Sequence, residues 1–144
     1  MTTINKSALV RYSASEMFAL VNDIESYPQF LPWCRSAQVL SRETDEVRAT
    51  LELARGGIQK SFTTSNRLQA DKIIEIRLVE GPFRHLNGFW RFDPLSEQAS
   101  KVSLDMSFEF APVLDFVIGP VFRSIADSLV DAFHKRAVEV YGKR

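Results

Sequence analysis

The side chains that most often hold metals or attack substrates are scarce in this chain: two histidines, His85 and His134, and one cysteine, Cys34. Neither His-x₃-His nor Cys-x₂-Cys spacing occurs, so no dedicated zinc or iron site is expected. Cys34 lies between Trp33 and Arg35 with no sequence pointer to a partner, and a Cys34–His85 pair would depend wholly on the tertiary fold. A lone cysteine of this kind is ordinarily a small buried hydrophobe. There is no G-x-S-x-G elbow. Gly56-Gly57 is flanked by strand-like sequence, with no following helix and no Gly-Lys-Ser/Thr, so it reads as a turn and not as a phosphate cradle. His134 falls near the C-terminal end of a helical segment, where an exposed or dipole-stabilised imidazole is the plain expectation.

Charge adds little. Eighteen basic residues balance eighteen acidic ones, which removes any general attraction to nucleic acid or to an anionic membrane. Arg42, Arg48, Arg55, Lys60 and Arg67 fall on strand-like segments beside acids such as Glu43 and Glu52, the pattern of a solvated strand face. No DNA partner is expected. A single cysteine cannot form an internal disulfide and favours a reducing compartment. The opening MTTINKSALVRY lacks the apolar run of a signal peptide. No later run approaches the ~20 residues of a membrane span. The expectation is a cytoplasmic protein, with membrane contact limited to transient docking.

The elements that must position any site can be read from periodicity. Phe122, Ile125, Ala126, Leu129, Phe133, Ala137 and Val140 recur at helical spacing through Val121 to Tyr141, and Val121 and Val130 widen that face. Pro120 suits the first turn of this helix and Gly142 its end. Before it, Val113 to Ile118 reads as a short apolar helix, separated from the main one by Gly119-Pro120 or kinked against it. Near the start, Ile4 to Tyr12 reads as a strand. Ser13 and Glu16 then make a capping box, and Tyr12 and Met17 stand at its staple positions ahead of a helix over residues 14 to 22.

Between these helices the period changes from 3.6 to 2. From Ala37 to Phe110, alternating stretches such as Val47-Ala49-Leu51-Leu53, Ile74-Ile76-Leu78 and Val102-Leu104-Met106-Phe108-Phe110 predict about six strands. Gly56-Gly57 predicts a hairpin, Gly81-Pro82 a break, and Asp93-Pro94 the end of the strand through Trp90 and Phe92. One-sided strands and a broad apolar helix satisfy each other in an α+β fold of the helix-grip kind, with a strongly bent antiparallel sheet around the C-terminal helix. At 144 residues a single domain over 1–144 is expected.

Such a sheet is not always filled by its own side chains. Phe62, Trp90, Phe92, Met106, Phe108, Phe122, Leu129 and Phe133 are therefore candidates to line an apolar pocket, the alternative being a fully packed core. The connector Ser26 to Cys34 is rich in large apolar groups, and its two prolines allow at most one helical turn. It reads as a plug at one end of the core in preference to a direct ligand contact.

The order of elements resembles the RatA family, bacterial relatives of the coenzyme Q-binding START proteins in the polyketide cyclase and lipid-transport superfamily. The likeness is carried by Tyr27-Pro28-Gln29 with Phe30-Leu31-Pro32-Trp33-Cys34, by Gly81-Pro82-Phe83, by Gly88-Phe89-Trp90-Arg91-Phe92 and by Phe108-Glu109-Phe110. It covers essentially the whole chain. The resemblance implies a cavity between sheet and helix, with Phe30, Leu31, Pro32, Trp33 and Cys34 as the family segment. Coenzyme Q relatives bind an isoprenoid quinone and support respiration without doing chemistry. RatA members are toxins that bind the large ribosomal subunit and prevent its joining the small one.

Three readings follow. The first is a non-enzymatic module holding a ubiquinone-like or other hydrophobic small molecule, with no cofactor required and with Pro112, Gly119 and Pro120 as a gate near the mouth. The second is a protein directed to the large ribosomal subunit. The third is a cyclase or aromatase, which needs an acid–base group inside the cavity. The inward positions supply none.

Overall fold

The computed structural model describes residues 1–144. The chain runs β1 (Thr2–Val10), α1 (Ala14–Asn22), a 3₁₀ helix (Ile24–Gln29), β2 (Cys34–Arg42), β3 (Glu46–Arg55), β4 (Ile58–Gln69), β5 (Ile73–Glu80), β6 (Phe83–Ser96), β7 (Ala99–Phe110) and α2 (Pro112–Tyr141). All strand pairs are antiparallel and form one curved sheet in the order β1-β7-β6-β5-β4-β3-β2. The long C-terminal helix packs on it, completing the helix-grip fold.

Local chemistry explains most boundaries. Ser13 Oγ accepts the Glu16 N–H at 3.0 Å while Glu16 Oε1 accepts the Ser13 N–H at 3.0 Å, and this capping box starts α1. Gly56 and Gly57 take φ of 58° and 82°, the positive pair that a two-residue type I′ hairpin requires, and Arg55 faces Ile58 across it.

Several boundaries differ from the periodic reading. β1 runs from Thr2 to Val10, because its pairing with β7 is in register from Thr2 opposite Phe108 to Val10 opposite Ser100. Tyr12 leaves the strand, and its hydroxyl donates to the Gly142 carbonyl at 2.6 Å. Cys34 opens β2 opposite Leu53 and so belongs to the sheet. β6 continues through Asp93-Pro94 to Ser96. Pairing with β5 stops at Arg91, so Pro94 faces only β7 and its missing N–H removes no bond to the other neighbour.

The largest difference is α2, one continuous helix of 30 residues. Pro112 occupies its first turn, where no N–H is needed. Pro120 lies inside it and leaves the Phe116 carbonyl without a helical donor. Ile118 and Phe122, on either side of the proline, are both buried, and this packing carries the helix across it. The apolar face is buried at Phe122, Ile125, Ala126, Val130, Phe133 and Ala137. It does not extend to Val140, which is 49% exposed; Tyr141 packs there, with its ring 6.0 Å from that of Tyr12.

Candidate functional site

Between α2 and the sheet lies a cavity of about 80 Å³, walled by nineteen residues of which seventeen are apolar. α2 contributes Phe122, Ile125, Leu129 and Phe133, on one face because of their helical spacing. The strands contribute the inward member of each alternating pair: Ala49 and Leu51 from β3, Phe62, Thr64 and Asn66 from β4, Ile74 and Ile76 from β5, Leu86 and Trp90 from β6, and Met106 from β7. Val21, Ile24, Tyr27, Leu31 and Trp33 close it from α1 and the connector.

Six of the eight residues expected at a pocket are in this wall: Phe62, Trp90, Met106, Phe122, Leu129 and Phe133. Phe92 and Phe108 are not. Both are fully buried beside the cavity, Phe92 edge-on to Phe18 at 5.6 Å and Phe108 edge-on to Phe122 at 4.8 Å, so helix packing consumes their faces. Within the family segment, Leu31 and Trp33 reach the cavity. Phe30 packs edge-on against Phe133 at 5.2 Å with the Arg136 guanidinium over its ring, while Pro32 and Cys34 stay outside the wall. The connector therefore plugs the core and lines the cavity at once. Pro112, Gly119 and Pro120 contribute no wall; they precede Phe122 on the helix.

Thr64 and Asn66 were missed by reasoning from apolar residues, although the alternation Phe62-Thr64-Asn66 places all three inward. Ile74, Ile76 and Leu86 belonged to recognised strands but carried no sign that their facing space is unfilled. Ile24 and Tyr27 reach the wall because the 3₁₀ helix packs over β2, and Val21 because α1 packs on α2 and the sheet.

The wall holds no carboxylate, imidazole, amine or thiol. Its phenol, Tyr27, donates to the Val21 carbonyl, and burial pushes that hydroxyl well above its ordinary titration range. Cys34 lies buried at the start of β2, and burial, with Glu52 nearby, pushes its thiol up to about 11. At neutral pH it is a protonated thiol and not a nucleophile. His134 sits on α2 half-buried, edge-on to Tyr12 at 6.3 Å. His85 faces Glu109 across the β6–β7 pair. No helix is long and apolar enough to cross a membrane.

A curved antiparallel sheet closed by one long helix over an apolar cavity defines a helix-grip protein of the START-like class. The family described as polyketide cyclase / dehydrase and lipid transport matches residues 10–134. The ribosome association toxin RatA of Pseudomonas aeruginosa is 44% identical over 98% of this chain and 99% of its own length. The RatA of Escherichia coli K12 is 42% identical over 100% and 92%. The mitochondrial coenzyme Q-binding protein COQ10 homolog B of Xenopus laevis is 31% identical over 97% of this chain and 59% of its own. The chain belongs to the RatA family within the polyketide cyclase and lipid-transport superfamily. Among solved structures, TTHA0849 of Thermus thermophilus superposes with a TM-score of 0.82 at 17% identity, covering 96% of this chain and 98% of that one. The Zhui aromatase/cyclase of a Streptomyces species gives 0.79 at 18%, covering 99% of each. At such identities these two share the fold alone.

Proposed function

We propose that this protein works by binding a neutral, quinone-like hydrophobic molecule in the cavity, without catalysing a reaction. The carrying observation is a cavity wall that is apolar at seventeen of nineteen positions and carries no carboxylate, imidazole, amine or thiol. The coenzyme Q-binding name of the Xenopus relative supports the ligand class. At about 80 Å³ the cavity is smaller than the roughly 150 Å³ that admits a benzene ring, so loading requires a wall to move. The stretch of α2 that leads into the wall residue Phe122 is the segment suited to this. Pro120 weakens the helix there, and Gly119 leaves room for the Asp115 carboxylate, whose Oδ1 lies 2.5 Å from where a Cβ would stand. Native mass spectrometry of freshly purified protein, with solvent extraction of what it releases, tests this reading. A prenyl quinone near one per chain is the expected result; a protein that is empty and takes up no added quinone overturns it.

Ribosome association is the second reading, favoured by the name of relatives 42–44% identical over nearly their full length. We propose the large subunit as the partner. Salt-sensitive cosedimentation is expected, since contacts to RNA phosphates release counterions. Of the basic residues near the C-terminus, Lys135 is held by Asp131 at 3.1 Å, Arg136 by Glu139 at 3.9 Å, and Arg144 by Glu16 at 2.7 Å. Lys143 is the one without an ion pair, so reversing Lys143 is the first test of this end of the molecule. Absence of cosedimentation at low salt removes the reading.

A further inference from the structure

The cavity has two polar side chains on its wall, both on β4. Thr64 and Asn66 are 7% and 9% exposed, and Thr64 Oγ1 donates to Asn66 Oδ1 at 3.1 Å. That bond occupies the amide oxygen and fixes which way the group points. The Asn66 Nδ2 amide is left with no protein acceptor among the side-chain hydrogen bonds of the chain. A second donor belongs to the same wall: Trp33 is 6% exposed, and its indole Nε1–H is buried without a partner. A fully buried donor left unmade, as at Trp33, is costly, and polar side chains retained in an apolar wall need a reason. Isosteric apolar residues at these positions would pack without that cost.

We infer that Asn66, oriented by Thr64, is the head-group anchor of the cavity, donating its side-chain amide to a carbonyl oxygen of the bound molecule, with the Trp33 indole as a second donor. Both free groups are donors, so the complementary ligand presents acceptors. No charged side chain lines the wall, so an anionic or cationic head would be buried unpaired, and the ligand is neutral. A neutral carbonyl-bearing ring fits; a fatty acid or a bare hydrocarbon does not. The inference rests on the cavity-binding reading and specifies which end of the ligand enters.

The test compares a ubiquinone bearing one isoprene unit with a prenylbenzene of similar size that lacks oxygen. Titration of each into wild-type protein, followed by ¹⁵N–¹H NMR, should give tighter binding of the quinone and downfield movement of the Asn66 side-chain amide and Trp33 indole signals. Asn66→Leu, which keeps the branched shape and the heavy-atom count, should weaken the quinone by about tenfold and leave the hydrocarbon unchanged or tighter. Thr64→Val should weaken the quinone less, by freeing the amide to rotate. The wild-type shifts stand even if a variant folds poorly. Equal affinity for the two probes, or amide signals unmoved by bound quinone, overturns the anchor while leaving the cavity reading intact. If neither probe binds, the cavity reading itself falls, and the anchor with it.

Discussion

Arg144 grips Glu16 at two points, Nη1 to Oε1 at 2.7 Å and Nη2 to Oε2 at 2.8 Å, and so ties the last residue of the chain to the first turn of α1. The same guanidinium lies over the rings of Tyr12 and Tyr141, 4.9 and 5.8 Å from their centroids. Hydrogen bonds from Arg144, then from the Ser13 N–H, hold the Glu16 carboxyl at about 2 against an ordinary 4.5. A carboxyl depressed in the folded state contributes stability above pH 4.5, and this is lost as pH falls through about 2. Arg144→Ala should therefore lower the melting temperature at pH 7 slightly, by at most ~2 °C because the pair is partly exposed. The gap between variant and wild type should narrow as pH falls from 4.5 towards 2. Paired thermal melts across that range check it; a gap independent of pH would mean that the ion pair is not its cause.

Phe133 is 1% exposed and meets Tyr27, Phe30 and Trp90 edge-on at 5.5, 5.2 and 5.2 Å. Phe133→Ala removes the side chain on which helix, connector and sheet converge. A loss of about 3–5 kcal/mol is expected in urea unfolding. A loss under ~1 kcal/mol would contradict this packing.

Gly88 sits mid-sheet between Ile76 and Met106. A Cβ there would collide with the Asp105 carbonyl oxygen and stand 2.9 Å from the Met106 Cα, both backbone atoms that cannot swing aside. Gly88→Ala should cost about 1–3 kcal/mol through strain in the β6–β7 ladder. Chemical denaturation measures it, with accelerated amide exchange at residues 105–107 as the local sign.

Cys34 is 3% exposed, with its thiol raised to about 11. At about pH 8 the folded protein should react with a disulfide reagent only as fast as it opens, and denatured protein at once. Prompt labelling of the native chain would show that the start of β2 is open in solution.

Phe116, at 88% exposure, and Val113, at 80%, stand on the first turns of α2 with no packing partner. Phe116→Ser should leave stability within about 0.5 kcal/mol while reducing retention on a hydrophobic column. An appreciable destabilisation would mean that this turn is covered in the native state.

Much of the architecture is legible from local rules. The Ser13–Glu16 box, the Gly56-Gly57 turn and the period-2 stretches each encode their own geometry, because caps, turns and pleats depend on residues a few positions apart. What the sequence determined by itself is therefore which elements exist and which face of each is apolar. The tertiary structure decided the rest. Pro120 alone predicts a break, yet burial on both sides keeps α2 whole. Pro94 predicts a strand end, yet it falls where β6 has only β7 beside it. Phe92 and Phe108 share the apolar pattern of Trp90 and Met106, but helices cover the first two and leave the second two facing open space. Hydrophobic alternation tells which side of a strand avoids water. Only the distance between elements far apart in sequence determines whether that side meets another side chain or a cavity.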